Sequence, residues 1–242
     1  MSELTVSEAA ARLGVHQSRV RQLLHAGTVG GRRLGRQWLI DADDLDRHRD
    51  LVSGGATSRA MSARTAWAAA ALVDGQDTRW ITSSERSRLQ GRLQRNAEEV
   101  VTFRRWLSTR QLSTARFRIA DSDIAAFLQE QDVVATGISA ARSHGQRLSA
   151  AGEAEAYATV ELARKLTRKY FLVASERGNL LLRTVEGNWH TDTAVRRDGL
   201  LITTRLMTAV DLLDSADARS VSAGRRLLQE ALQSLTLSKV GG

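Results

Sequence analysis

The order of local signals between Leu4 and Arg49 constrains the fold of this chain more than any other feature. Thr5 and Glu8 have the spacing of a capping box, in which two side chains satisfy free N–H groups at the start of a helix. Gly14 supplies the backbone freedom that a sharp turn requires. A second helix is expected from about His16 to Ala26, so the segment begins with two short helices around a tight turn.

The second helix has one apolar and one polar face. Val20, Leu23 and Leu24 fall at positions i, i+3 and i+4, which places them on one buried stripe. The opposite face carries Gln, Ser and Arg, which are residue types that can reach base edges or phosphates from the major groove of DNA. The candidate DNA-binding residues of this face are Gln17, Ser18, Arg19, Arg21 and Gln22.

The segment Thr28–Ile40 combines glycines, arginines and apolar residues in a pattern that favours a β-hairpin. Its arginines, Arg32, Arg33 and Arg36, are further candidate DNA contacts, because they supply positive charge where the glycines allow a close approach to a phosphate backbone. A closing helix is expected over Asp43–Arg49. Two helices, a hairpin and a closing helix are the layout of a winged helix-turn-helix, which predicts binding of double-stranded DNA.

Charge is segregated along this segment. From Arg12 to Arg36 there are six arginines and no acidic residue, whereas the seven acidic residues of positions 1–50 all lie outside that span. A polyanionic partner explains the segregation. The alternative is a solvated basic surface on an ordinary small helical domain.

The same segment resembles the excisionase-type branch of the MerR-like winged helix-turn-helix family. The matching positions are Leu4, Thr5, Val6, Glu8, Ala9, Ala10, Leu13, Gly14, Val15, Val20, Leu23, Leu24, Gly27, Arg33, Gly35, Arg36, Trp38, Ile40, Asp44 and Leu45. The resemblance implies that the second helix enters the major groove and that the wing lies against the backbone or the minor groove. His16 stands where the family usually has Ser or Thr, and Gly30 and Gly31 replace a proline-containing start of the wing.

Composition excludes several classes of site and location. The chain has no Cys, which rules out disulfides, thiolate metal sites and a cysteine nucleophile. Its apolar stretches are far shorter than a membrane span, and Met1 leads into polar residues rather than a signal sequence. We therefore expect a cytoplasmic, nucleoid-associated protein without cofactor or metal.

The remaining residues divide by charge. Residues 51–118 hold twelve basic and five acidic residues, whereas residues 119–242 hold fifteen of each. This pattern predicts a winged helix-turn-helix domain at 1–50, a linker at 51–62, a basic helical segment at 63–118 and an α+β partner or dimerisation domain at 119–242. The expected fold class is mainly α with small β (α+β).

Local patterns predict further elements in this larger part. Helices are expected over Ala63–Leu72, Ser84–Leu107, Ser122–Gln131 with Ser122 as its cap, Ile138–His144, Ala154–Arg168, Val210–Leu213 and Ser220–Leu235. A strand is expected at Arg116–Ile119, and a β-hairpin at Tyr170–Ala174 and Asn179–Val185. The arginines of the helix Ser84–Leu107 have two interpretations, a phosphate contact or a solvated face.

The C-terminal part resembles DNA-binding antitoxins of the abortive-infection (AbiEi-like) type IV family over residues 60–235. The resemblance rests on residues 133–145, 179–183, 209–213, 217–219 and 224–228. It implies a protein that represses its own operon and is encoded with a nucleotidyltransferase-like toxin.

No catalytic motif emerges. His190 and Asp192, with Glu186 nearby, do not supply the three or four converging ligands of a metal site, and His190 is expected in a loop with an exposed structural role. Thr136–Ser139 precedes a helix but lacks the Lys of a phosphate-binding loop. We therefore expect no enzyme.

The leading hypothesis is a sequence-specific, autoregulatory repressor that forms a homodimer and acts as an antitoxin. Two alternatives remain open at this point: an excisionase-like architectural recombination factor and a ligand-sensing one-component regulator.

Overall fold

The chain divides into two compact units, Met1–Ser58 and Arg59–Gly242. The computed structural model describes residues 3–13, 15–25, 29–35, 37–42, 45, 60–95 and 100–237. The predicted closing helix Asp43–Arg49, apart from the buried Leu45, and most of the predicted linker therefore lie outside the described residues. The domain boundaries at 50, 62 and 118 stay predictions.

The N-terminal unit combines a helix pair with a small antiparallel sheet. Its elements are β1 (Glu3–Thr5), α1 (Val6–Leu13), α2 (Gln17–His25), β2 (Gly31–Leu34) and β3 (Gln37–Asp41). The sheet has the order β1-β3-β2, so the predicted hairpin is confirmed. Strand β1 was not predicted; Leu4 in β1 pairs with Ile40 in β3, which attaches the start of the chain to the wing.

The capping box at the start of α1 is present. The Thr5 backbone N–H donates to Glu8 Oε2 at 2.8 Å, and the Glu8 N–H donates to Thr5 Oγ1 at 3.3 Å. The hydrogen bonds that the backbone N–H and the hydroxyl of Thr5 donate to the carboxylate hold the pKa of Glu8 below its usual value. The predicted stripe of Val20, Leu23 and Leu24 is buried in a core with α1 and β3.

The C-terminal unit is a mixed sheet surrounded by helices. Its elements, in chain order, are α3 (Ala63–Val73), α4 (Ser83–Arg95), α5 (Val100–Trp106), β4 (Ser113–Arg118), a 3₁₀ turn (Asp121–Asp123), α6 (Ile124–Leu128), β5 (Val134–Ala135), α7 (Gly137–Ala141), a second 3₁₀ turn (Arg142–His144), β6 (Ala154–Thr159), α8 (Val160–Lys169), β7 (Val173–Ala174), β8 (Leu180–Val185), α9 (Trp189–Asp192), β9 (Val195–Arg197), β10 (Leu200–Ile202), α10 (Arg205–Leu213) and α11 (Ala218–Leu237).

The seven strands have the order β7-β4-β8-β6-β5-β10-β9. Strands β6 and β8 are parallel, as are β5 and β10, and the other neighbours are antiparallel. Apolar clusters cover both faces of the sheet. Tyr157 of β6 packs into the cluster around Trp67 and α10, whereas its neighbours Ala156 and Ala158 pack into the cluster around Phe127. The mixed α+β class is confirmed.

Two helices run through the interior of this unit. All residues of α10 from Leu206 to Leu213 are buried, and so are all residues of α3 from Ala66 to Val73. A helix that is apolar on all sides, as α3 is from Ala66 to Val73, is stable only inside a core; α10 also buries Thr208 and Asp211. No helix within the described residues is long and apolar enough to cross a bilayer.

A buried ionic network ties α10 to the sheet. The carboxylate of Asp211 accepts hydrogen bonds from Arg110, Tyr157 and Thr136. Arg183 of β8 lies 3.4 Å from the same carboxylate and 2.8 Å from Glu155 of β6. Because these charges are paired inside the protein, loss of one partner would leave the other uncompensated.

The segment Ala154–Arg168 corrects the prediction of one long helix. Residues 154–159 form β6, which is hydrogen-bonded on both sides by β5 and β8, and only Val160–Lys169 is helical. Alanine favours helix in isolation, but Ala154, Ala156 and Ala158 here pack closely on one face of a central strand. Tertiary pairing therefore overrides local propensity.

The predicted hairpin at Tyr170–Ala174 and Asn179–Val185 is also wrong. Both segments contain a strand, but β7 and β8 do not pair with each other, because β4 lies between them and pairs with both. The turn around Gly178 crosses over this strand; a Cβ at Gly178 would overlap the Phe117 carbonyl of β4.

Two smaller predictions change as well, and a third lies only partly within the described residues. Ser122 lies within a 3₁₀ turn and does not cap α6. The helix expected over Ser84–Leu107 corresponds to α4 and α5, with residues 96–99 outside the described part. His190, expected in an exposed loop, is fully buried in the short helix α9.

Candidate nucleic-acid interface

Helix α2 presents most of the predicted recognition residues on the side opposite its buried stripe. Val20, Leu23 and Leu24 are at most 7% exposed. Ser18, Arg19, Arg21 and Gln22 are exposed away from this stripe, whereas Gln17, one turn before Val20, is half-buried and bonds to Ser7 of α1. Their contact with DNA itself stays a prediction.

Hydrogen bonds within the unit connect several of these side chains. Gln17 Nε2 donates to Ser7 Oγ at 3.4 Å, and Arg21 Nη2 donates to Gln17 Oε1 at 3.4 Å. Arg19 Nη1 donates to Gln22 Oε1 at 3.2 Å. The polar ends of the long side chains therefore meet in two separate pairs, Gln17 with Arg21 and Arg19 with Gln22.

His16 takes the role of a helix cap at the start of α2. Its Nδ1 accepts a hydrogen bond from the Ser18 backbone N–H at 3.3 Å and lies 3.0 Å from Ser18 Oγ. Ser and Thr caps satisfy the same kind of free N–H group. The imidazole thus replaces the usual hydroxyl at this position.

The wing exposes its arginines to solvent. All four residues of β2 are exposed, including Arg32 and Arg33, which pair with Leu39 and Trp38 of β3. Gly35 has a φ of +59° in the turn between the strands, where residues with a side chain would be strained. Arg36 lies outside the described residues.

Gly31 allows the wing to pack on α2. A Cβ at this position would lie 2.7 Å from Leu24 Cδ2 and 3.0 Å from the Leu39 carbonyl oxygen. The absence of a side chain therefore lets β2 approach the buried side of the recognition helix. The glycine is visible in the sequence, but its contact with α2 is not.

The arginines of α4 and α5 mostly engage groups of their own unit. Arg86 pairs with Asp77 at 2.6 Å, and Arg104 pairs with Asp214 at 2.8 Å. The Arg92 guanidinium lies 4.3 Å from the centre of the Trp106 ring. These contacts favour the interpretation of a solvated face with local partners over a phosphate track.

Comparison with known proteins identifies the N-terminal unit. Residues 3–50 match the family model of a helix-turn-helix domain. No curated protein and no solved structure matches the chain. The match covers the helix pair and the wing, and so includes the exposed polar residues of α2 and the exposed arginines of β2. The N-terminal unit therefore contains a helix-turn-helix domain, and this domain supports a role in DNA binding.

Proposed function

We propose that this chain is a sequence-specific transcriptional repressor that binds double-stranded DNA in its own control region. The observation that carries the proposal is the polar face of α2, whose Gln17, Arg19 and Arg21 stand beside a wing with exposed arginines. Such residues read base edges in the major groove and hold phosphates beside it. A bound repressor of this kind excludes polymerase from the promoter.

The proposal extends to an antitoxin of a type IV toxin–antitoxin operon. Its support is the sequence resemblance of residues 60–235, together with the balanced charge of residues 119–242. A segment with no net charge has no general attraction for a polyanion, so we assign it to protein contacts, namely a homodimer and a nucleotidyltransferase-like toxin. The proposal includes no enzymatic activity and no cofactor.

The test of repression uses a reporter gene placed behind the natural upstream region. The intact chain should lower expression, and Arg21→Ala should restore it. Arg226→Ala serves as a control, because Arg226 is an exposed arginine of α11 whose hydrogen bond, within the described part of the chain, is to Ser222 of its own helix. Repression that survives Arg21→Ala, or that requires an added integrase, would contradict the proposal and favour the recombination factor.

The test of the antitoxin role is separate from the test of repression. The neighbouring gene is expressed alone and together with the chain, and growth is measured. If the gene encodes a nucleotidyltransferase-like toxin, both the intact chain and Arg21→Ala should rescue growth. Absence of such a neighbour, or failure to rescue, removes the antitoxin role and leaves the repressor in place.

A further inference from the structure

A polar pocket lies at the end of the parallel strands β6 and β8. Thr159 ends β6, pairs in register with Val185 at the end of β8, and is followed directly by α8. The pocket has a volume of about 260 Å³ and is lined by Asp132, Thr159, Glu161, Leu162, Lys165, Asn188, His190 and Thr191. In open α/β sheets, ligands bind outside the carboxyl ends of parallel strands; in this mixed sheet the pocket lies at the corresponding end of one parallel pair.

His190 in the wall of this pocket is fully buried; its imidazole lies near the Asp132 backbone, but neither ring nitrogen makes a hydrogen bond of good geometry to a described residue. Burial lowers the pKa of His190, an effect that the Asp132 backbone and the carboxylates of Asp132 and Asp192 oppose. A neutral imidazole carries one donor and one acceptor. Buried polar groups in proteins are nearly always hydrogen-bonded, so this pair of atoms calls for a partner.

A single water does not account for the pocket. One water takes up about 30 Å³ of liquid, whereas the pocket is several times larger. Its volume is slightly below the range of about 300–1,000 Å³ that is typical of sites for drug-sized molecules. A pocket of this size has room for several waters or for one small molecule, but not for a macromolecular segment.

The lining favours an uncharged ligand with many hydroxyl groups. Lys165 Nζ pairs with Glu161 Oε1 at 2.7 Å, so these two charges offset each other. The remaining carboxylate of Asp132 lies in a pocket that also contains the positive N-terminal end of α8. Only Leu162 is apolar among the lining residues. Hydroxyls, an amide and a neutral imidazole both donate to and accept from alcohols, and carboxylates accept from them.

We propose that this pocket binds an uncharged, polyhydroxylated small molecule of pentose or hexose size, with His190 and Asp132 as its polar anchors. The site lies within the C-terminal unit and does not depend on the proposed DNA-binding function. It supplies the kind of pocket that a ligand-sensing regulator requires.

The test is calorimetric titration of the full chain with D-ribose and D-glucose, with inorganic phosphate and putrescine as anionic and cationic comparisons. We expect saturable binding of at least one sugar and no saturable binding of the ions. Asp132→Asn should weaken sugar binding at least tenfold without unfolding the protein, because Asp132 is exposed and Asn tolerates its φ of 62°. His190→Phe should abolish binding.

The matched control is Asp198→Asn, at a second exposed aspartate with a positive φ (50°) that lies outside the pocket. This variant should bind the sugar like the unaltered chain. The proposal is overturned if neither sugar binds, if an ion binds instead, or if Asp132→Asn leaves sugar affinity unchanged. Unchanged sugar affinity in Asp132→Asn would overturn the proposal even if His190→Phe fails to fold.

Discussion

The side chain of Arg21 extends from the exposed face of α2 and donates to Gln17 Oε1 at 3.4 Å. If it reads a guanine, Arg21→Ala should reduce the preference for the operator over random DNA by about 1–3 kcal/mol, the value of one bidentate contact. Competition binding with operator and random duplexes measures this difference. An equal loss on both kinds of DNA would mean that Arg21 contacts phosphate instead.

Gly137 is a residue that the fold requires for two reasons. Its φ is +50°, and a Cβ there would overlap the carboxylate of Glu155, which is held by Arg183 at 2.8 Å. We expect Gly137→Ala to destabilise the protein by roughly 1–3 kcal/mol beyond the strain of a left-handed residue. Urea unfolding measures this loss.

The variant Gly145→Ala separates the strain of a positive φ from the overlap with a neighbouring side chain. Gly145 also has a positive φ (+78°), but a Cβ there meets nothing within 4 Å. This variant should lose only the conformational part, about 1–2 kcal/mol. Equal destabilisation by the two variants would show that Glu155 moves aside without cost.

The half-buried His144 should make the free energy of unfolding depend on pH. Burial lowers the pKa of His144, as it does for His190, below the ordinary value of 6.5. The unfolded chain then binds more protons than the folded one below that pH, so both residues should make the protein less stable as the pH falls from 6.5. Burial raises the pKa of Glu155, which acts in the opposite direction.

The contribution of His144 is isolated by His144→Gln, which keeps a donor for the Thr203 carbonyl that lies 2.8 Å from Nε2. Unfolding free energies at pH 7.5 and 5.5 should differ less in this variant than in the unaltered chain. The same difference in both proteins would mean that His144 does not titrate in this range.

At the scale of elements, the wing should contribute affinity without sequence preference. Arg32 and Arg33 are exposed on β2, and removing one arginine that binds a phosphate should reduce the slope of log affinity against log salt by about one unit. Arg32→Ala with Arg33→Ala should therefore weaken binding to all duplexes alike. Unchanged slopes for the double variant would place the wing away from DNA.

At the scale of the whole molecule, we expect the C-terminal unit to pair two N-terminal units. A two-fold dimer reads two half-sites about one helical turn, roughly 34–36 Å, apart or a multiple of it. A chain ending at Ser58 should bind single half-sites weakly and lose cooperativity on the full operator. Sedimentation and binding curves test this; full affinity of the truncated chain for the operator would refute it.

Much of the N-terminal unit follows from the sequence alone, because its signals are local. The Thr5–Glu8 capping box and the stripe of Val20, Leu23 and Leu24 depend only on residues a few positions apart.

One local signal in the C-terminal unit was not predicted. Asp198 and Gly199 both have positive φ values and join β9 to β10 in a two-residue turn, which the sequence Asp-Gly favours.

Tertiary structure alone decided the arrangement of the C-terminal unit. Ala154–Thr159 became a strand because β5 and β8 supply hydrogen bonds on both sides, and β4 separates β7 from β8 although those two are neighbours in sequence. The burial of His190 and the pairing of Arg110 with Asp211 likewise join residues that are distant along the chain. Helix caps and amphipathic stripes depend on residues a few positions apart and can be recognised in the sequence. Strand order and buried charge pairs depend on contacts between distant segments, which form only when the chain packs into one core.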